Sequence, residues 1–189
     1  MFKLVLIFNC LIFNDLFFLA LLLIQSLKTR TVHLTKNKIM QKRININSAE
    51  PEALKAMMGL ETYLSKVDIS KSLKELIKIR ASQINGCAYC IDMHTRDALK
   101  NGETDQRIFL LNAWREAGSI FSDEEKSVLS IAEEVTLIHQ QGLTDNTYSN
   151  ALKYFTENQI AQIVIAVVTI NAWNRIALSS HLQVGGGFA

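Results

Sequence analysis

Cys87, Cys90 and His94 are the residues in this chain whose types and spacing point most directly to chemistry. The thiols stand three residues apart in NGCAYCIDMH and the imidazole follows four later, so on a helix all three share one face. Such a set can hold a metal, or it can cycle between dithiol and disulfide, because neighbouring turns at a helix start bring the Cα atoms within bridging range. Structural zinc needs a fourth ligand and usually a second cluster. The third cysteine, Cys10, lies far upstream, and His139 and His181 stand alone, each reading as a surface or cap histidine. A thioredoxin-like pair would follow a β-strand, and haem attachment needs histidine directly after the second cysteine, where Ile91 stands instead. A redox-active dithiol leads, with a zinc-stabilised module or a non-catalytic dithiol switch as the alternative.

Which thiol is activated stays open on the residues alone. Asn85-Gly86 is a breaker pair, which places Cys87 at the N-terminus of a new helix, where free amides and partial positive charge favour a thiolate. His94, one turn beyond Cys90, favours Cys90, because an imidazole in reach can take or relay its proton.

The elements that must position these groups read as helices throughout. Pro51 opens a helix through EALKAMMGLETYL, since its missing N–H costs nothing in a first turn. Leu54, Met57, Met58 and Leu64 are expected to face inward, the methionines as core filler. A second helix is expected over 71–84, with Leu73, Leu76, Ile77, Ile79 and Ile84 buried. Glu75 sits beside them and defaults to a solvated position. The cysteine helix runs to about Lys100, with Gly102 as its C-cap glycine. Thr104 caps a helix expected over 105–117, with Ile108, Leu111 and Trp114 inward. Ser122 and Glu125 form a capping box for a helix carrying Val128, Leu129, Ala132, Val135 and Ile138 and stopping before Gly142. Thr144 and Thr156 are further N-caps, the second with Gln159 at the box position. The segment from Glu157 to about Leu178 is apolar on nearly all sides, as expected of a helix at the centre or at a subunit interface.

With 49% hydrophobic residues and a net charge of +2, both signs mixed along its length, the chain carries ample core and no basic block for nucleic acid. One close thiol pair fits a reducing cytoplasm better than a secreted disulfide framework. Residues 1–39 form an apolar, Gly- and Pro-free extension, while Met40 opens what looks like an ordinary soluble N-terminus. Met40 is therefore the expected start, and a membrane contact is expected only if 1–39 act as an anchor. The helical domain is placed at 40–182 and a flexible tail at 183–189.

The run KELIKIRASQINGCAYCIDMHTRDALKNG resembles the core motif of the carboxymuconolactone decarboxylase and alkyl hydroperoxidase D-like family, in its C-x-x-C-x-x-x-H branch. That motif has a glutamate, then C-x-x-C twelve residues later, then x-x-x-H. Glu75, Cys87, Cys90 and His94 stand at that spacing, and INAWNR from Ile170 resembles a later segment of the same proteins. The resemblance covers Met40 to about Leu182. It implies an all-α helical bundle whose helix hairpins assemble as a homo-oligomer, trimer or hexamer. It implies a thiol peroxidase or disulfide reductase with no cofactor, in which Cys90 attacks the hydroperoxide, Cys87 resolves the sulfenic acid, and Glu75 and His94 relay the proton. Electrons would come from a dithiol or a lipoylated protein. Tyr89 stands where the best-known member has a histidine between its cysteines. The decarboxylase branch lacks the pair, so lactone decarboxylation is not expected.

Overall fold

The computed structural model describes residues 43–186, and these fold entirely as helices and their connections, with no strand among the described residues. They belong to one compact unit, Lys42–Ala189. The reading of residues 1–39 falls outside the described residues, as does the end of the tail.

A short helix α1 (Ile46–Ala49), capped by the Asn45 side chain, leads into α2 (Pro51–Leu64), with its proline in the first turn. Next come α3 (Lys71–Asn85), whose N-terminus Ser70 caps, and α4 (Ala88–Lys100), an antiparallel hairpin. After α5 (Asp105–Leu110) the chain tightens into short 3-10 turns before α6 (Asp123–Thr136), α7 (Ile138–Gln141), α8 (Asp145–Ala151) and the long α9 (Glu157–Ser179).

Helix α3 is the centre, because it packs on α4, α6 and α9. Leu73 and Ile77 join Val128, Ile131, Ile163 and Val167 in one core, whereas Leu76 and Ile79 join Leu111, Trp114, Phe121 and Leu129 in another. Ala81 meets the two cysteines, Ile170 and Trp173 in a third. One helix thus contributes to every layer, and its C-terminal end delivers the chain to the thiols. Helix α9 is long enough and apolar enough to cross a membrane by length and composition (mean hydropathy 1.4), yet 61% of that stretch is buried inside the molecule, as suits a core helix.

The caps fall where expected. Both boxes, Ser122/Glu125 and Thr156/Gln159, are closed, and Thr104 and Thr144 accept from their third following amides. At the end of α4, Gly102 (φ 94°) donates to Leu99 and Glu103 donates to Ala98, the paired return bonds of a Schellman turn. The end of α9 has the same two bonds, from His181 to Leu178 and from Leu182 to Ala177, with His181 itself left-handed at φ 53°.

Several boundaries differ from expectation, each for a physical reason. The expected helix over 105–117 stops at Leu110. Its apolar residues Ile108, Leu111, Trp114, Ala117 and Ile120 recur every three, the period of a 3-10 helix, and all pack into the same core. Helix α6 ends at Thr136, not before Gly142. Glu134 accepts from the Thr144 amide at 2.8 Å and from the Thr147 hydroxyl at 2.6 Å, while an unbroken helix would carry the chain about 10 Å past Glu134. Ile138 is consequently exposed, and Val135 is only half-buried. Ile84 is half-buried as well. In α2 only Leu64 is fully buried; Leu54 and Met57 are half-buried and Met58 stands 52% exposed. Core filler is therefore the wrong reading for Met58, which instead lines a cavity.

Candidate active site

The turn that ends α3 begins the site. Gly86 takes the left-handed conformation (φ 69°, ψ 29°), its amide donating to Gln83 and the Cys87 amide returning to Ser82 at 3.0 Å. This Schellman turn needs a residue without a Cβ penalty at Gly86. It fixes Cys87 as the N-cap of α4, with Cys90 in the first turn above it. Both cysteines are buried, 1% and 2% exposed, as free thiols with their sulfurs 2.6 Å apart. Closing a bond of about 2.0 Å from there needs no backbone rearrangement.

His94 and Glu75 meet across the α3–α4 hairpin. His94 Nδ1 lies 2.9 Å from Glu75 Oε2, and both side chains are largely buried. Glu75 thus turns inward, away from the solvated position its local sequence suggested, because its partner arrives from the next helix. In the tautomer whose Nδ1–H donates to the Glu75 carboxylate, Nε2 is the ring's open acceptor.

The two thiols titrate as a pair. The Cys90 thiol donating to Cys87 lowers Cys87 to about 7 against the opposing effect of burial, and the Cys90 amide and the Asn174 side chain help. Once Cys87 is the thiolate, its hydrogen bond holds the Cys90 proton, burial adds to this, and Cys90 is pushed up. The first proton leaves easily and the second with difficulty, so the pair is poised as one thiolate sharing one proton.

Beneath the sulfurs lies a buried amide network. Asn174, fully buried on α9, donates to Ser82 Oγ at 2.9 Å and accepts from Asn85 Nδ2 at 2.8 Å. Asn85 also donates to Asn171 Oδ1 at 2.8 Å, and Asn171 donates to Thr136 Oγ1 at 3.0 Å. The network locks the end of α3 to α9 and aims Asn174 at both thiols.

Above Cys90 opens a cavity of about 440 Å³, a volume typical of small-molecule sites. Its apolar wall is Leu54, Met58, Tyr89, Met93 and Trp173, and its polar wall includes Glu61, Glu75, Lys78, His94 and Asp97. Cys90 lines this cavity and Cys87 does not. Glu61 braces it, bonding Lys78 Nζ at 3.0 Å and accepting from Trp173 Nε1 at 2.9 Å. Among the described residues no three His, Cys, Asp or Glu side chains converge to hold a metal ion.

All four residues singled out in the sequence therefore come together. Asn174, Glu61 and Lys78 were missed. A signal for the first existed, since Asn171 and Asn174 are amides one turn apart in the apolar stretch of the helix, where a buried partner would justify them.

A buried C-x-x-C pair at a helix start, facing a glutamate–histidine dyad within an all-helical hairpin, defines a class of helical dithiol proteins. The chain belongs to the carboxymuconolactone decarboxylase family, in its alkyl hydroperoxidase D-like form: the family profile matches residues 51–134. It is 44% identical over 140 residues to YdfG of Bacillus subtilis, an uncharacterised protein, over 74% of this chain and 95% of that one. A crystal structure from Agrobacterium tumefaciens, of a protein of unknown function whose description proposes an antioxidant-defence AhpD, is 37% identical with a TM-score of 0.74. It matches 78% of this chain and 100% of that one. The debrominase Bmp8, 18% identical with a TM-score of 0.63 over 71% of this chain and 72% of its own, shares the fold.

Proposed function

We propose that the chain is a thiol-dependent peroxidase or disulfide reductase that reduces hydroperoxides through the Cys87–Cys90 pair. The observation that carries this reading is the asymmetry of the two sulfurs. Cys90 lines the cavity, and Cys87 lies 2.6 Å behind it, outside the cavity wall. The sulfur that a substrate meets is therefore backed directly by the sulfur that can resolve it.

The pair shares one proton, and Cys90 must give it up before it attacks. Cys87 can receive it through the existing hydrogen bond, or the imidazole of His94, held by Glu75, can take it. The Cys90 thiolate then attacks the outer oxygen of the hydroperoxide. The O–O bond breaks, the alkoxide takes up the proton that Cys90 gave to Cys87 or to the imidazole and leaves as an alcohol, and Cys90 becomes a sulfenic acid. The Cys87 thiolate displaces hydroxide from that sulfur, giving a disulfide and, with one more proton, water. Exchange with an external dithiol, small or lipoylated, returns the pair to its reduced state.

Apolar side chains left in solvent on α2 and α9, among them Leu60, Tyr63, Val168 and Leu178, support assembly into a homo-oligomer, and a single close cysteine pair in place of a secreted disulfide framework supports a cytoplasmic location. The test is peroxide consumption with dithiothreitol or dihydrolipoamide by the wild type and by Cys90→Ser. Activity is expected only in the wild type, and equal rates would remove Cys90 from the mechanism.

A further inference from the structure

A second cavity, of about 340 Å³, adjoins the thiol cavity, and Glu61, Glu75, Lys78 and Asp97 line both. Its walls carry Lys71, Lys74, Lys78 and Lys100. The carboxylates in it are already engaged: Glu75 with His94, Glu61 with Lys78, and Asp97 with Lys100. Among the described residues Lys71 and Lys74 have no carboxylate within ion-pair distance, and the Lys74 amine donates to the Leu64 carbonyl at 2.9 Å. Two lysines with no direct ion pair of their own among the described residues thus face a cleft that opens directly onto an apolar chamber above a reactive sulfur.

We propose that the lysine cleft seats the anionic head group of the substrate, so that the thiol cavity takes hydroperoxides whose apolar body ends in a carboxylate. This rests on the peroxidase reading for its chemistry, though not for its binding site. The apolar body lies along Leu54, Met58, Met93 and Trp173, and the carboxylate reaches Lys71 and Lys74 across the shared wall. Burial and repulsion from Lys78 and Lys71 outweigh the attraction of Glu75 and Glu61 and lower the Lys74 pKa, and an anion seated beside it relieves that cost. Lys78 contributes less as a head-group ligand because Glu61 already neutralises it.

The test separates the site from the reaction by using probes that carry no peroxide. Octanoate and octanol are titrated calorimetrically into the full-length reduced protein, the double variant Lys71→Gln/Lys74→Gln, and its conservative counterpart Lys71→Arg/Lys74→Arg. Octanoate should bind the wild type about tenfold more tightly than octanol, lose that advantage in the glutamine variant and in high salt, and keep it in the arginine variant. Equal binding of acid and alcohol to the wild type overturns the proposal. So does a glutamine variant, folded by its thermal melt, that still prefers octanoate. If the glutamine variant does not fold, loss of the preference in the arginine variant or its persistence in high salt overturns it instead. A second arm compares kcat/KM for a fatty-acid hydroperoxide and its methyl ester. If neither is reduced, the peroxidase reading fails while the octanoate result still decides the head-group site.

Discussion

Replacing Asn174 by alanine removes a side chain that ties α9 to the end of α3 and acts on both thiols. In the wild type its amide donates to Ser82 Oγ at 2.9 Å and its carbonyl accepts from Asn85 Nδ2 at 2.8 Å, with Asn174 and Ser82 fully buried and Asn85 partly so. Asn85 keeps its bond to Asn171, so the principal losses are the partner of a fully buried Ser82 hydroxyl and the donor to the sulfurs. Each stranded buried group costs about 1–3 kcal/mol, which puts the destabilisation at roughly 2–4 kcal/mol. In a domain of this size that is a fall of roughly 5–15 °C in melting temperature. The same change acts on the chemistry, because Asn174 lowers both thiols. The first thiolate, which forms in the wild type near pH 7, should form at higher pH in the variant. Calorimetric melting and ultraviolet absorbance of the thiolate against pH, on reduced protein, read the two effects separately. A variant that melts like the wild type and ionises at the same pH would refute the role given to this network.

Glu61→Ala should destabilise by roughly 2–3 kcal/mol in a denaturant titration, because it leaves the mostly buried Lys78 charge without its carboxylate and Trp173 without its acceptor. Glu61→Gln, which can still accept from Trp173, should lose less. Acid should weaken the fold through Glu133. Burial alone would raise that carboxyl, but hydrogen bonds from Trp114, Arg115 and Arg80 outweigh it and hold the folded value below 4.5. A group depressed on folding contributes above its unfolded value and loses that contribution as pH falls through the folded one. The urea midpoint should therefore drop below pH 4.5, and Glu133→Gln should start lower at neutral pH with a shallower acid dependence.

Local chemistry made much of this legible. Asn45 and Ser70 are the exceptions among the caps, unremarked in the sequence, whereas Thr104, Ser122, Thr144 and Thr156 announce themselves through short-range hydrogen bonds, and the Gly86 turn follows from its glycine. What stayed hidden depends on partners far away in the chain. Glu75 turns inward because of His94, Asn174 is buried because of Ser82, and Lys78 is buried because of Glu61. No helical period encodes those pairings. The stretch after Thr104 failed differently: its apolar residues repeat every three, and a 3.6-residue template carried the helix too far. Met58 failed because an apolar residue beside a cavity has the same pattern as one in a core.

The central claim is that Cys90 attacks the hydroperoxide and is oxidised first, and that Cys87 then resolves it. Treating reduced Cys87→Ser with one equivalent of hydroperoxide, trapping with a sulfenic-acid reagent and mapping the adduct by mass spectrometry tests this directly. The account predicts a stoichiometric adduct on Cys90 and no disulfide between the pair. No adduct on Cys90, together with an adduct on Cys87 in the reciprocal Cys90→Ser protein, would reverse the two roles and contradict it.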